Sequence, residues 1–164
     1  MNTSDASALE TWASTIASAL TWQEAHASLD QAAEGLAPAL RGRRAPDFPH
    51  SAWELLEHIR RTQRDLLEFC TNPKYRAPTW PDDFWPRSPE PPSDAAWTEC
   101  LAAIRADAQA LADFTIENAA TLTDKIPHGT GQTYLRTVLV AVDHASYHTG
   151  QIVTVRRLLD AWPP

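Results

Sequence analysis

Residues 143–157, DHASYHTGQIVTVRR, place His144 and His148 four positions apart in a run that reads as helix. Positions i and i+4 share one helical face a turn apart, so both imidazoles can reach a single cation. The apolar residues of the same run, Leu135, Val138, Ala141, Val142, Ala145, Ile152, Val155 and Leu159, repeat at three and four, and the two histidines lie on or beside that stripe. Two inward imidazoles at this spacing suit a divalent metal. The pair alone is also compatible with histidines hydrogen-bonded inside a core.

A third ligand separates the two readings. His58 lies midway along SAWELLEHIRRTQRDLLEF, on the face shared by Leu55, Ile59, Thr62, Leu66 and Phe69. A bundle that aligns this helix with the last one brings its imidazole to the same point. Three neutral imidazoles leave coordination positions open for water or substrate, whereas a structural site is normally closed by a fourth protein ligand.

Other residues near these positions carry two readings each. Gln151 orients a ligating imidazole or bonds helix to helix, and Tyr147 borders the cavity on angular grounds. Asp143, Glu54 and Glu57 are candidate carboxylates behind the ligands, with exposure to water as the ordinary alternative. His26 lines the same cavity or sits on a polar face; His50 belongs to the approach to the second long helix; His128, in the turn PHGTGQ, reads as exposed or backbone-bonded. Gly150 weakens a helix by about 1 kcal/mol relative to alanine, which suggests that another backbone or a ring packs closely there. Trp53, Trp80, Trp85 and Trp97 read as core and loop anchors rather than a substrate cage. Arg41, Arg43 and Arg44 read as a solvated cluster, or as a grip on a carboxylate of a thiol cofactor. Trp12 and Trp22 belong either to the core or to a homodimer contact.

The elements that must position these groups are helical. Five glycines and no alternating β-branched runs argue against a sheet. Ser7–Glu10 and Thr21–Glu24 have the form of capping boxes and predict helices over about 5–19 and 22–37, joined or broken between. Ser51–Glu54 is a third such box and starts a helix to about Cys70. The following NPKYRAPTWPDDFWPRSPEPP is too rich in proline for helix or central strand, and too aromatic for a disordered linker. It reads as an ordered crossover packed over one end of the domain. A third long helix runs from Ser93 or Asp94 to about Glu117, burying Trp97, Leu101, Ile104, Leu111 and Phe114, and the last from about Gln132 to Asp160. The fold class is all-α: one domain over residues 1–164, a four-helix bundle with a long Pro/Trp-rich crossover between the second and third helices.

Composition narrows the partners. With 14 basic and 21 acidic residues the net charge is −7, which repels phosphate backbones and anionic membrane surfaces, so no nucleic acid and no membrane are expected. MNTSDASALE lacks the basic-then-apolar plan of a signal peptide, and a cytoplasmic location is expected. Cys70 and Cys100 lie outside any CxxC pattern and read as packing thiols in a reducing compartment.

Taken together, the mid-helix histidine of SAWELLEHIRRTQRDLLEF, the crossover TWPDDFWP and the ending HASYHTGQI resemble the DinB-like superfamily of metal-binding four-helix-bundle proteins, from about Thr21 onward. The resemblance implies that His58, His144 and His148 bind a divalent metal ion; three imidazoles suit zinc or nickel, and other first-row ions as well. It also implies a metal-dependent enzyme of the thiol S-transferase type, acting on a small-molecule substrate with a low-molecular-weight thiol, or of the hydrolase type. A non-enzymatic metal-binding or stress-response module is the alternative.

Overall fold

The computed structural model describes residues 3–21 and 25–163, with side-chain surroundings described from residue 7 onward. Six α-helices and one short 3-10 turn account for its regular structure, and no strand occurs among the described residues. Four helices are long: α1 (Thr3–Ala19), α4 (Ala52–Thr71), α5 (Asp94–Glu117) and α6 (Tyr134–Leu158). Two are short, α2 (Leu29–Ala33) and α3 (Pro38–Arg41). Among the described residues no helix is long and apolar enough to cross a membrane.

Local chemistry explains the starts. Ser51 accepts from the Glu54 amide while Glu54 bonds the Ser51 amide, the reciprocal pair the sequence predicts. Ser93 and Thr133 cap α5 and α6 through the amides of Ala96 and Arg136. The first predicted box does not form: α1 begins at Thr3, so Ser7 lies inside it and its carbonyl accepts from the Thr11 hydroxyl. The Thr21–Glu24 box and Trp22 fall outside the described residues.

The helix expected over 22–37 is also corrected. Residues 25–28 are not helical, and Ser28 with Gln31 makes an unforeseen capping box that opens only the five-residue α2. Gly35, at φ +67°, then turns the chain into the left-handed region, and Pro38 opens α3. Ser28 and Gly35 thus cut what apolar spacing alone reads as continuous.

α4 is the central element, packed against both α5 and α6, while α1 lies on α5 and α2 on α6. Leu55, Leu56 and Ile59 of α4 meet Trp97, Cys100 and Ile104 of α5 and Ile152 and Val155 of α6 in the main core. A smaller cluster of Leu66, Leu67, Leu111 and Ala141 closes the other end. Arg156, almost fully buried, ties α6 to α2 by donating to the carbonyls of Ala32 and Glu34.

Residues 72–93 hold no helix, yet they are tethered along α4 at several points. Tyr75 donates to Asp65 and packs on Phe69, and Ser51 donates to the Pro89 carbonyl at 2.6 Å. At Gly42 a Cβ would lie 2.8 Å from Glu90 Cα, so glycine lets this connection approach the end of α3.

Candidate metal centre

α4 and α6 each carry an apolar stripe into the shared core, and the site histidines interrupt those stripes at matching heights. His58 is 3% exposed, His148 is 8% exposed and His144 is partly buried. One ligand nitrogen from each of the three rings lies within 4.8 Å of the others. His58 Nε2 and His144 Nε2 are 3.0 Å apart. The three rings meet edge to face, with centroids 4.4–4.8 Å apart.

Each of two rings has its other nitrogen engaged. His58 Nδ1 lies 2.9 Å from the Phe84 carbonyl, and His148 Nδ1 lies 2.7 Å from Gln151 Oε1. Both partners accept, so both rings carry their proton on Nδ1 and present the Nε2 lone pair inward. Gln151 in turn donates its Nε2 to the Tyr147 hydroxyl at 3.1 Å, which fixes the orientation of the amide. The His58 ring also stacks on Trp85 at 3.9 Å and 7°, and Trp85 stacks its other neighbour, His50, at 4.2 Å.

Burial keeps the cluster neutral. Desolvation pushes His58 down to about 4, assisted by the like charges of His148 and His50 and opposed by the Phe84 bond. Desolvation, then His148 and His58, lowers His144 to about 3. His148 is lowered for the same first reason, against the Gln151 bond. Neutral imidazole is the form that donates to a metal, so at neutral pH no proton has to be expelled to bind one. One turn beyond His58 on the same face, the Thr62 hydroxyl is buried without a hydrogen-bond partner. Three convergent neutral imidazoles, two of them oriented by Phe84 and Gln151, fit a borderline divalent ion such as zinc or nickel, and the group could hold one.

The structure sorts the remaining candidates. Gln151 takes the orienting role and Tyr147, 62% exposed, borders His148. The carboxylates do not reach the rings: Asp143 is exposed, Glu54 is held by Arg44 and the Ser51 amide, and Glu57 by Arg60 and Arg61. A backbone carbonyl and an amide side chain do the work expected of them. His26 lines a different cavity of about 240 Å³ beside Leu20, Gln63 and Thr149. His128 bonds the Phe69 carbonyl, and His50 stacks on Trp85.

Gly150 is exposed and a Cβ there would meet nothing within 4 Å, so the expected close packing is absent. Trp53 and Trp97 are core anchors, but Trp80 is 68% exposed with its ring 6.3 Å from His58, and Trp85 backs the site directly. Arg41 and Arg44 are committed to Asp94 and Glu54. Burial raises both thiols, Cys70 to about 12 and Cys100 further with help from Glu57, so neither serves as a nucleophile.

The Phe84 carbonyl and Arg61 leave no mark in the sequence, and Trp85, which reads there as a loop anchor, also stacks on His58. A carbonyl acceptor has no side-chain signature, and the only trace was the aromatic density of the proline-rich connection.

Comparison with known proteins adds one match. No curated protein and no solved structure matches the chain. Residues 21–152, which hold all three histidines, match the DinB superfamily. The chain therefore belongs to the DinB superfamily.

Proposed function

We propose that the protein is a divalent-metal enzyme whose four long helices form a four-helix bundle around His58, His144 and His148 as ligands. The observation that carries the reading is the convergence of three ring nitrogens within 4.8 Å while the opposite nitrogens of His58 and His148 are committed to Phe84 and Gln151. When bound, a zinc or nickel ion lowers the pKa of a thiol or water beside it and so supplies a nucleophile at neutral pH.

The chain's own residues account for the rest. Burial keeps the imidazoles neutral, and Phe84 and Gln151 hold two of them in the donating tautomer. Trp80 and Tyr147 leave exposed aromatic surface next to the rings for a small-molecule substrate. Cys70 and Cys100 are buried, so a thiol nucleophile comes from outside the chain, as a low-molecular-weight co-substrate. This supports a thiol S-transferase, with hydrolysis by activated water as the variant that needs no co-substrate.

The test begins with tag-free protein purified without added metal. Elemental analysis should find about one divalent ion per chain, and His58→Ala, His144→Ala and His148→Ala should each lose it. A wild-type protein with no saturable zinc or nickel site sinks the metal reading. Loaded protein is then offered electrophiles with and without several small thiols. Thiol-dependent consumption supports transfer and thiol-independent consumption supports hydrolysis; inactivity throughout leaves a non-enzymatic metal-binding module.

A further inference from the structure

His58 owes its orientation to a stretch of chain with no regular secondary structure. Its Nδ1 bonds the Phe84 carbonyl and its face rests on Trp85, both in a turn within the proline-rich connection. Inside the turn the Asp83 amide donates to the Thr79 carbonyl at 2.9 Å and the Phe84 amide to the Pro81 carbonyl at 3.0 Å, which shapes the turn but does not fix where it sits against α4. Something outside the turn must set its position.

Arg61 does so. It lies three residues after His58 on α4, and its Nη1 donates to the carbonyls of Asp83 at 3.1 Å and Trp85 at 3.2 Å, the two that flank Phe84. Its Nε donates to Glu57 Oε1 at 3.0 Å. Glu57 is 6% exposed and is itself held by two bonds from Arg60, at 2.7 and 2.6 Å, with Cys100 Sγ of α5 at 3.5 Å. The guanidinium is therefore pinned at one end to a buried carboxylate and grips the turn with the other. The planar fork of arginine suits this; an ammonium has no equivalent rigid geometry.

We propose that Arg61, held by Glu57, is a positioning residue for the metal centre: it clamps Asp83–Trp85 so that the Phe84 carbonyl fixes the tautomer, and the Trp85 ring the tilt, of His58. The inference rests on the metal-binding reading of the three histidines. Arg60 is the internal control. It binds the same carboxylate, but among the described residues its hydrogen bonds go to Glu57 alone and none reaches the turn.

The experiment compares wild type, Arg61→Met, Arg61→Lys and Arg60→Met in full-length protein. Three readouts are taken: zinc affinity by competition with a chromophoric chelator, the His58 ring nitrogen signals by NMR without metal, and the melting temperature. Arg61→Met should weaken zinc binding by about 10–100-fold, the usual cost of losing a partner behind a ligating histidine. It should also shift the His58 Nδ1 signal. Arg60→Met should change neither beyond about twofold, and Arg61→Lys should recover part of the affinity.

Equal affinity in Arg61→Met and wild type overturns the clamp while leaving the metal centre standing. So does an equal loss in Arg60→Met, which makes the effect one of general stability. If wild type itself binds no zinc, the metal reading fails, and the clamp is judged on the metal-free His58 signal alone: unchanged in Arg61→Met, it is wrong too. Should Arg61→Met not fold, Arg61→Lys decides, since a wild-type affinity and an unshifted His58 signal there show that the fork is not needed.

Discussion

Replacing Gln151 by leucine tests whether a ring of the proposed metal centre needs its outer partner. His148 is 8% exposed and donates Nδ1–H to Gln151 Oε1 at 2.7 Å, so leucine of similar size leaves that N–H facing an apolar group. In the metal-free variant the ring escapes by moving its proton to Nε2, where it faces the other imidazoles. With a metal on Nε2 the proton must stay on Nδ1, unpaired. The penalty of about 1–3 kcal/mol for a buried unsatisfied donor therefore falls on the bound state. It should appear as a loss of about 10–100-fold in zinc affinity, or about 1.4–2.7 kcal/mol. Metal-free stability should drop by no more than about 1 kcal/mol. Competition titration with a chelator measures the first and denaturant unfolding the second. Tyr147→Phe, which removes only the acceptor for the far side of the amide, should cost less than about threefold. The reasoning is refuted if Gln151→Leu binds zinc within twofold of wild type while His148→Ala binds none.

Three further outcomes follow from the packing. His58 and His144 have folded pKa values of about 4 and 3 against an ordinary 6.5, so below pH 6.5 the unfolded chain takes up protons that the folded one refuses. Metal-free stability should fall progressively as the pH drops from about 6.5 to about 3, and His144→Gln should flatten that slope in urea titrations at several pH values. Arg156→Met removes the donor to the carbonyls of Ala32, Glu34 and Ala161 and should destabilise by at least about 2 kcal/mol with zinc affinity unchanged, by the same two assays. Gly150→Ala meets nothing and should stabilise by about 0.5–1 kcal/mol, read as a higher melting temperature.

The convergence of the three histidines was legible because a helix converts spacing into direction. His144 and His148 at i and i+4, and His58 on the stripe of Leu55 and Ile59, needed only helices and an apolar core to bring them together. Ser51–Glu54 was legible for the same reason, as a local pattern with a local consequence. The failures lie where the controlling group leaves no periodic trace. Ser7–Glu10 has the letters of a capping box but sits inside α1, because nothing before it stops the helix. Gly35 and Ser28 broke the second predicted helix through one backbone angle and one capping box. Glu54 and Glu57 were plausible partners for the rings by proximity along α4, yet neighbouring arginines claim both. The actual partner of His58, a carbonyl 26 residues away, depends on a non-repetitive path that side-chain identities do not encode.

The contact between His58 and His144 predicts which ring changes when metal binds. Two nitrogens 3.0 Å apart can form a hydrogen bond only if one carries a proton. His58 has committed its proton to Nδ1, facing the Phe84 carbonyl, so the donor is His144 Nε2. Among the described residues no partner is recorded on His144 Nδ1, and the ring is partly exposed. To become a ligand through Nε2, His144 must give up this bond and carry its proton on Nδ1, toward solvent. His58 and His148 already hold the tautomer that ligation needs. Nitrogen-15 spectra of the imidazoles should therefore show, on zinc addition, a tautomer switch at His144 alone, with Nδ1–H retained at the other two. A switch at His58 or His148, or a His144 already protonated on Nδ1 without metal, would show that the Phe84 and Gln151 bonds do not set the ring states as the distances imply.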